Sequence, residues 1–303
     1  SQSFAPWLVR RWLDRFGPDE TAALCEAVNT IPPVTLRTNT LKIERTQLLQ
    51  ELAGEGQTVQ AAALAPDGLL LRHLQKPVEE LEAFKRGFIQ VQDEAAQLVT
   101  LLLDPQPGET VLDACAGLGG KTAHIAQSMQ NSGTITALDV NTAKLKLLAA
   151  DMSRLGISIV RPYTLDLSGS RWPDHLGPYD RILLDAPCSG LGVLRRNPDA
   201  KWLVQEAMLA GYGRRQAGFL ECLALQVKPG GVLVYAVCSS EPEEGAAVVA
   251  AFLEKHRNYR LEIAADYVPL VDDSPLTRAG FLETFPHRHG TDGFFSARLR
   301  RRP

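Results

Sequence analysis

The chain has 303 residues, 45% of them apolar and 22% charged, a globular composition long enough for one large domain or a small unit joined to a larger one. No run approaches the ~20 apolar residues of a membrane helix, and Ser1-Gln2-Ser3 offers no basic head before an apolar stretch, so neither a span nor a secretory leader is predicted. The net charge of −3 argues against nucleic-acid binding through overall charge alone.

In chain order, residues 4–30 read as a helix, with Trp7, Leu8, Trp12, Leu13 and Phe16 at helical spacing, stopped by Pro32-Pro33. Residues 34–39 read as a strand, 43–53 as a helix ending at Gly54, and 58–64 and 69–72 as further strands. These elements predict a small α+β unit over residues 1–85. From residue 86 to 303 short apolar strands alternate with helices, the pattern of a parallel sheet with crossover helices. Strands are predicted at 110–114, 133–138, 158–164, 179–184, 232–237 and 294–299. Helices are predicted at 93–103, 121–129, 142–155, 205–227 and 242–256, the last with Glu243-Glu244 in a first turn that suits the helix dipole. The fold class is α/β, a doubly wound sheet behind a small α+β domain.

Five cysteines, at 25, 115, 188, 222 and 238, are odd in number and contain no C-x-x-C pair. They predict free thiols, no disulfide framework, no metal site and a reducing, cytoplasmic setting. A monomer is expected. Basic pairs at Arg10-Arg11, Arg195-Arg196 and Arg214-Arg215, with a cluster at 298–302, read singly as solvated faces; only convergence on one groove would make them a nucleic-acid footprint.

The first strand of the large unit runs into Asp113-Ala114-Cys115-Ala116-Gly117-Leu118-Gly119-Gly120-Lys121-Thr122. A dinucleotide loop would need a third glycine that the spacing lacks. A phosphate loop matches at Gly120-Lys121-Thr122, and Asp185 could serve as the acidic residue of a nucleotidase, but Cys115 stands where the first glycine belongs. The third reading is a methyltransferase loop closing under the methionine part of a cofactor. The next carboxylates favour it. Asp139 ends the second strand about 20 residues on, where a ribose diol is held. Asp166 follows the third strand, within reach of an adenine, and Asp185 ends the fourth. Carboxylates on successive strand ends, with Asp113, suit an adenosine bearing an amino acid and repel a triphosphate.

Cys188 and Cys238 each follow a strand of that same sheet, which places both beside the crevice at the strands' carboxyl ends. Cys25 and Cys222 fit ordinary buried cysteines. Cys115 lies in the cofactor loop, where its backbone matters more than its thiol.

Taken in order, these motifs resemble the RNA cytosine-5 methyltransferases of the Sun/Fmu (NSUN) type, similar to the bacterial 16S rRNA enzymes. The matching stretches are 33–39, 87–96, 113–122, Asp139, Asp166, 185–190, 192–199, Cys238-Ser239 and 292–295. The resemblance covers nearly the whole chain. It implies a Rossmann-like S-adenosylmethionine-dependent methyltransferase sheet, with Cys115, Ala116, Gly117, Leu118, Gly119, Gly120, Lys121, Asp139, Asp166 and Asp185 framing S-adenosyl-L-methionine. It also implies RNA as partner, rRNA before tRNA, in a cleft between the units to which Arg37, Arg195 and Arg196 contribute.

Catalysis falls to Cys238, Cys188 and Asp185. Carbon 5 of cytosine is a poor nucleophile until a thiolate adds at carbon 6. The family pattern makes Cys238 the attacking thiol and Cys188 the release group, with Asp185 hydrogen-bonding the base. Gly117-Leu118 replaces the usual Ala-Pro, which loosens the loop. Ala236-Val237 replaces the usual Ser-Thr, which lowers the polarity beside Cys238. A phosphate-loop nucleotidase and a non-catalytic RNA-binding scaffold are the rival readings.

Overall fold

The computed structural model describes residues 3–72, 74, 76–169, 171–268 and 277–303. The chain opens with α1 (Pro6–Val28), followed by β1 (Val34–Thr38), α2 (Arg45–Gly54), β2 (Thr58–Ala61), β3 (Gly68–Arg72), the short α3 (Glu82–Lys85) and β4 (Ile89–Val91). The strands form an antiparallel sheet in the order β2-β3-β1-β4. Alternate residues of β1 and β3 point inward, so that Leu36, Leu69 and Leu71 meet Leu48 and Leu52 of α2 in one core. Because Ile89 pairs with Thr38, this sheet extends to Val91, past the boundary expected at residue 85. Three residues are too few to show a strand periodicity in sequence, which is why β4 went unpredicted.

α1 is two helical segments rather than one. Gly17 sits at φ 79°, a left-handed conformation that ends the first segment, and Pro18 opens the second. Leu8, Trp12, Leu24 and Val28 pack against Leu191, Leu194 and Leu209 of the large unit, so this helix fastens the front of the chain to the middle of that unit.

The large unit comprises α4 (Glu94–Leu103), β5 (Thr110–Asp113), α5 (Gly120–Ser128), β6 (Thr134–Asp139), α6 (Thr142–Leu155), β7 (Val160–Thr164), β8 (Tyr179–Asp185), the short α7 (Ala200–Leu203), α8 (Glu206–Ala224), β9 (Val227–Val237), α9 (Ala246–Lys255), β10 (Tyr259–Glu262), β11 (Thr277–Arg278), β12 (Phe281–Thr284), the short α10 (Pro286–His289) and β13 (Phe294–Arg301). Among the described residues the sheet has nine strands in the order β11-β12-β13-β9-β8-β5-β6-β7, with β10 on β13. From β7 to β9 the strands are parallel, and the remainder are antiparallel. Strand order reverses on either side of β5, which opens a crevice at the carboxyl ends of β5, β6 and β8. Alternate strand residues feed two cores: Val111, Ile135, Leu183 and Val234 on the face covered by α4, α5 and α6, and Leu112, Leu138, Leu184 and Tyr235 on the face covered by α8 and α9.

Two predicted elements differ in detail. β9 starts at Val227, before the Pro229-Gly230-Gly231 turn, because those residues form an irregularity in the pairing with β8: Tyr179 faces Val227 but Arg181 faces Val232. The helix predicted over 242–256 is broken. A single 3-10 turn, Pro242–Glu244, is followed by Gly245 at φ −113°, ψ −111°, and only then by α9. Glu244 is fully buried rather than displayed at a helix terminus.

Candidate active site

The cofactor-loop residues lie between β5 and α5. Ala114 and Ala116 donate backbone hydrogen bonds to Leu183 and Leu138, which pins the loop across the ends of β8 and β6. Gly117 and Gly119 both take positive φ, 57° and 89°. At Gly119 a side chain is excluded twice over, by its backbone and by Leu148, whose Cγ would lie 2.7 Å from an added Cβ. Asp139 accepts a 2.9 Å bond from the Gly117 N–H and another from the Asn141 N–H, so it both ends β6 and holds the loop. Leu118 is 57% exposed at the loop's tip.

A cleft beside this loop is walled by Cys115, Leu138, Asp139, Leu165, Asp166 and Phe219. The structure thus brings Cys115, Asp139 and Asp166 to one place. Its apolar walls between carboxylates suit a flat, uncharged ring and a diol. Asp166 is exposed, and its carboxylate accepts from the Ser168 N–H, which holds it below the ordinary carboxylate range. Burial, reinforced by Asp113, pushes the Cys115 thiol far up, leaving it an inert wall. Lys144 and Arg215 also line the cleft. Arg215 reads in sequence only as one of a solvated pair, since its place at the cleft depends on how α8 packs against the strand ends.

At the base of the site Asp113 is buried and accepts a 2.7 Å bond from Thr122 Oγ1. Burial, against the pull of that bond and with Asp185 nearby, pushes its carboxyl up to about 7. Lys121 reaches from the first turn of α5 to Asp185 Oδ2 at 2.7 Å and lies 5.0 Å above the Phe294 ring. Burial opposes its charge, but Asp185, with further help from the Cys238 sulfur and Asp113, holds the ammonium above its ordinary range.

The two thiols meet. Cys188 Sγ and Cys238 Sγ are 3.2 Å apart, both only partly buried, at the ends of the adjacent strands β8 and β9. The hydrogen bond to Cys238, then burial, push the Cys188 thiol well up, so it remains S–H at neutral pH. One residue that the sequence did not single out joins them: Glu244 accepts from Ser189 and Ser239, the residues that follow the two cysteines.

The arginines expected to meet RNA are placed otherwise. Arg37 is 1% exposed. Its guanidinium donates to Gln92, to the Gly120 carbonyl at 2.8 Å and to Gln127, beneath the cofactor loop. Bringing it out would strand those acceptors at about 1–3 kcal/mol each, so Arg37 is a brace of the fold and not an RNA contact. Arg195 bonds the Gly290 carbonyl and Asp292, and its side chain is 5% exposed, which corrects that expectation too. Arg196 keeps a third of its surface but pairs with Asp292 at 2.6 Å and Asp93 at 2.7 Å. Arg11 and Arg298 likewise spend their charge internally, on Glu241, Glu243 and Glu206 and on Glu262.

A doubly wound sheet, a glycine loop after its central strand and carboxylates on the next strand ends define a Rossmann-like methyltransferase domain behind a small α+β domain. The family model described as 16S rRNA methyltransferase RsmB/F matches residues 100–300, and its companion ferredoxin-like domain matches residues 4–78. The chain belongs to this family of RNA methyltransferases. It is 38% identical to the probable ribosomal RNA small subunit methyltransferase B of Bacillus subtilis and 40% identical to that of Synechocystis, in each case over 99% of this chain and 67% of the relative. It therefore spans about two thirds of the length of these relatives. A solved methyltransferase homolog from Pyrococcus horikoshii superposes with a TM-score of 0.82 at 29% identity, covering 99% of this chain and 96% of that one.

Proposed function

We propose that this chain transfers a methyl group from S-adenosyl-L-methionine to carbon 5 of a cytosine in small-subunit ribosomal RNA, through a covalent bond between Cys238 and carbon 6. The observation that carries the reading is the pair of thiols 3.2 Å apart beside a cleft built for an adenosine. The names of the relatives support rRNA as the substrate. Bound in that cleft, the cofactor supplies an electrophilic methyl group.

The protein's residues divide the remaining work. The Cys238 sulfur adds to carbon 6, and the electrons of the 5–6 double bond become available at carbon 5. The Lys121 ammonium is the counter-charge for an anionic sulfur there, and its bond to Asp185 fixes it in place. Asp185 is positioned at the end of β8 to accept from the exocyclic amino group of the base and so to orient the ring. After methyl transfer solvent water takes the carbon 5 proton, and the bonding electrons left behind re-form the double bond and expel the Cys238 sulfur. Cys188, held against Cys238, assists that departure. The target base must leave its stack for the sulfur to approach carbon 6 from above the ring.

Two variants test this. Cys238→Ala is expected to give neither methylated cytosine nor covalent RNA. Cys188→Ala is expected to accumulate a denaturant-stable protein–RNA species. The reverse pattern would exchange the roles of the two thiols.

A further inference from the structure

Glu244 is fully buried, yet among the described residues no arginine or lysine forms an ion pair with it; Arg11 spends its charge on Glu241, Glu243 and Glu206. Its carboxylate is filled instead by four donors. Oε1 accepts from the Ser189 N–H at 2.8 Å and from Gln216 Nε2 at 3.1 Å, and Oε2 accepts from Ser189 Oγ at 2.5 Å and Ser239 Oγ at 2.7 Å. The Ser189 N–H and the Gln216 amide can only donate, so Oε1 acts as an acceptor, while Oε2 faces the two serine hydroxyls. Gln216 also donates to the Pro187 carbonyl, one residue before Cys188. The Tyr235 hydroxyl lies within hydrogen-bond reach of both the Glu244 carbonyl and Gln216, closing the network from β9. Ser189 and Ser239 are covalently next to the two thiols, and their hydroxyls are 3.3 Å apart.

The break before α9 makes this possible. Gly245 takes a conformation foreign to a helix, and an added Cβ there would meet the Phe295 ring at 3.1 Å. The turn is held close by Gly213 of α8, where an added Cβ would lie 2.3 Å from the Glu243 carbonyl oxygen. With the helix interrupted, Glu244 points inward between two loops that come from different strands. No other described residue bonds to the residues following both cysteines.

We propose that Glu244 is a positioning residue that fixes the separation of the Cys188 and Cys238 sulfurs by gripping Ser189 and Ser239, the two chain neighbours through which those loops can be held. This rests on the two-thiol reading above. Attack and release need the sulfurs at different points around one base, and a misplacement of about 1 Å can cost ~10²-fold in rate. Glu244 itself does not line the cofactor cleft, and its link to the cleft runs only through Gln216 to the Pro187 carbonyl, so the grip acts chiefly on turnover.

The test uses the full chain with its rRNA substrate and measures methyl-transfer kcat, KM for S-adenosylmethionine, covalent RNA trapping and thermal unfolding. Glu244→Ala is expected to lower kcat by about 10²-fold with KM for the cofactor unchanged. Glu244→Gln, which keeps two acceptor bonds and can donate to both serine hydroxyls, is expected to recover most of that loss. Ser239→Ala, a smaller change that spares the buried acid, is expected to shift the ratio of trapped adduct to released product while the melting temperature moves little. Wild-type kcat in Glu244→Ala, or kcat and cofactor KM changing together in step with stability in all three variants, would overturn the proposal. If the wild-type chain itself traps no RNA and methylates no cytosine, the two-thiol reading fails, which is a separate outcome from a failure of the grip.

Discussion

Arg37 carries the same residue type that sequence marks for RNA, yet its surroundings assign it other work. A guanidinium makes five donors available in a fixed fork, which suits a buried set of carbonyl acceptors as well as phosphates. The three acceptors it serves come from the front domain, the cofactor loop and α5, so they could not be seen together in sequence. Arg37→Ala is expected to destabilise the fold by a few kcal/mol for the acceptors left unpaired, read as a lower urea midpoint, without altering the salt dependence of RNA binding. A phosphate contact would instead reduce the salt slope by about 1. Asp113 gives a second residue-scale expectation. Its carboxyl is raised by burial from 3.8 to about 7, so the folded chain binds that proton more tightly than the unfolded chain does. The stability it contributes is fully present below about pH 4 and is lost as pH rises through about 7. Denaturant midpoints measured across that window should fall less steeply in Asp113→Asn, which keeps an acceptor for Thr122; an identical slope would show that Asp113 does not titrate there.

Among elements, the glycine loop was the most legible and the break at Gly245 the least. The loop's glycines stand between an apolar strand and a helix, a pattern that needs positive φ and close backbone approach, and Gly119 has both. Gly119→Ala is expected to lose about 1–2 kcal/mol of stability from its left-handed backbone alone, with more from the contact with Leu148, and to weaken cofactor binding. An unchanged melting temperature and cofactor affinity would contradict this. α6 was equally plain, bounded by Asn141, whose side chain caps the first N–H groups, and by Gly156 at φ 78°. By contrast Pro242-Glu243-Glu244 looks like a good helix start, and only the Phe295 ring and the Gly213 contact explain why the helix waits for Ala246. β10, β11 and β12 were missed because strands of two to four residues carry too little alternation to read. The thiols were found in sequence, as residues after strands; Glu244 was not, since its partners are set by how two loops meet.

Across the whole molecule, Arg195 and Arg196 clamp Asp292 and Asp93, joining the start of α4 to the segment before β13. α1, from the front of the chain, is packed onto Leu191 and Leu194, just beyond Cys188, so the front of the chain supports the thiol loop. The claim on which all of this depends is that one particular sulfur bonds the base. The direct measurement is to incubate the wild-type chain with S-adenosylmethionine and small-subunit rRNA carrying 5-fluorocytidine, which blocks release, and to map the adduct by peptide mass spectrometry. The account predicts a nucleotide on the peptide containing Cys238 and none on the peptide containing Cys188. A nucleotide on Cys188, or a methylated product formed with no covalent intermediate, would contradict it.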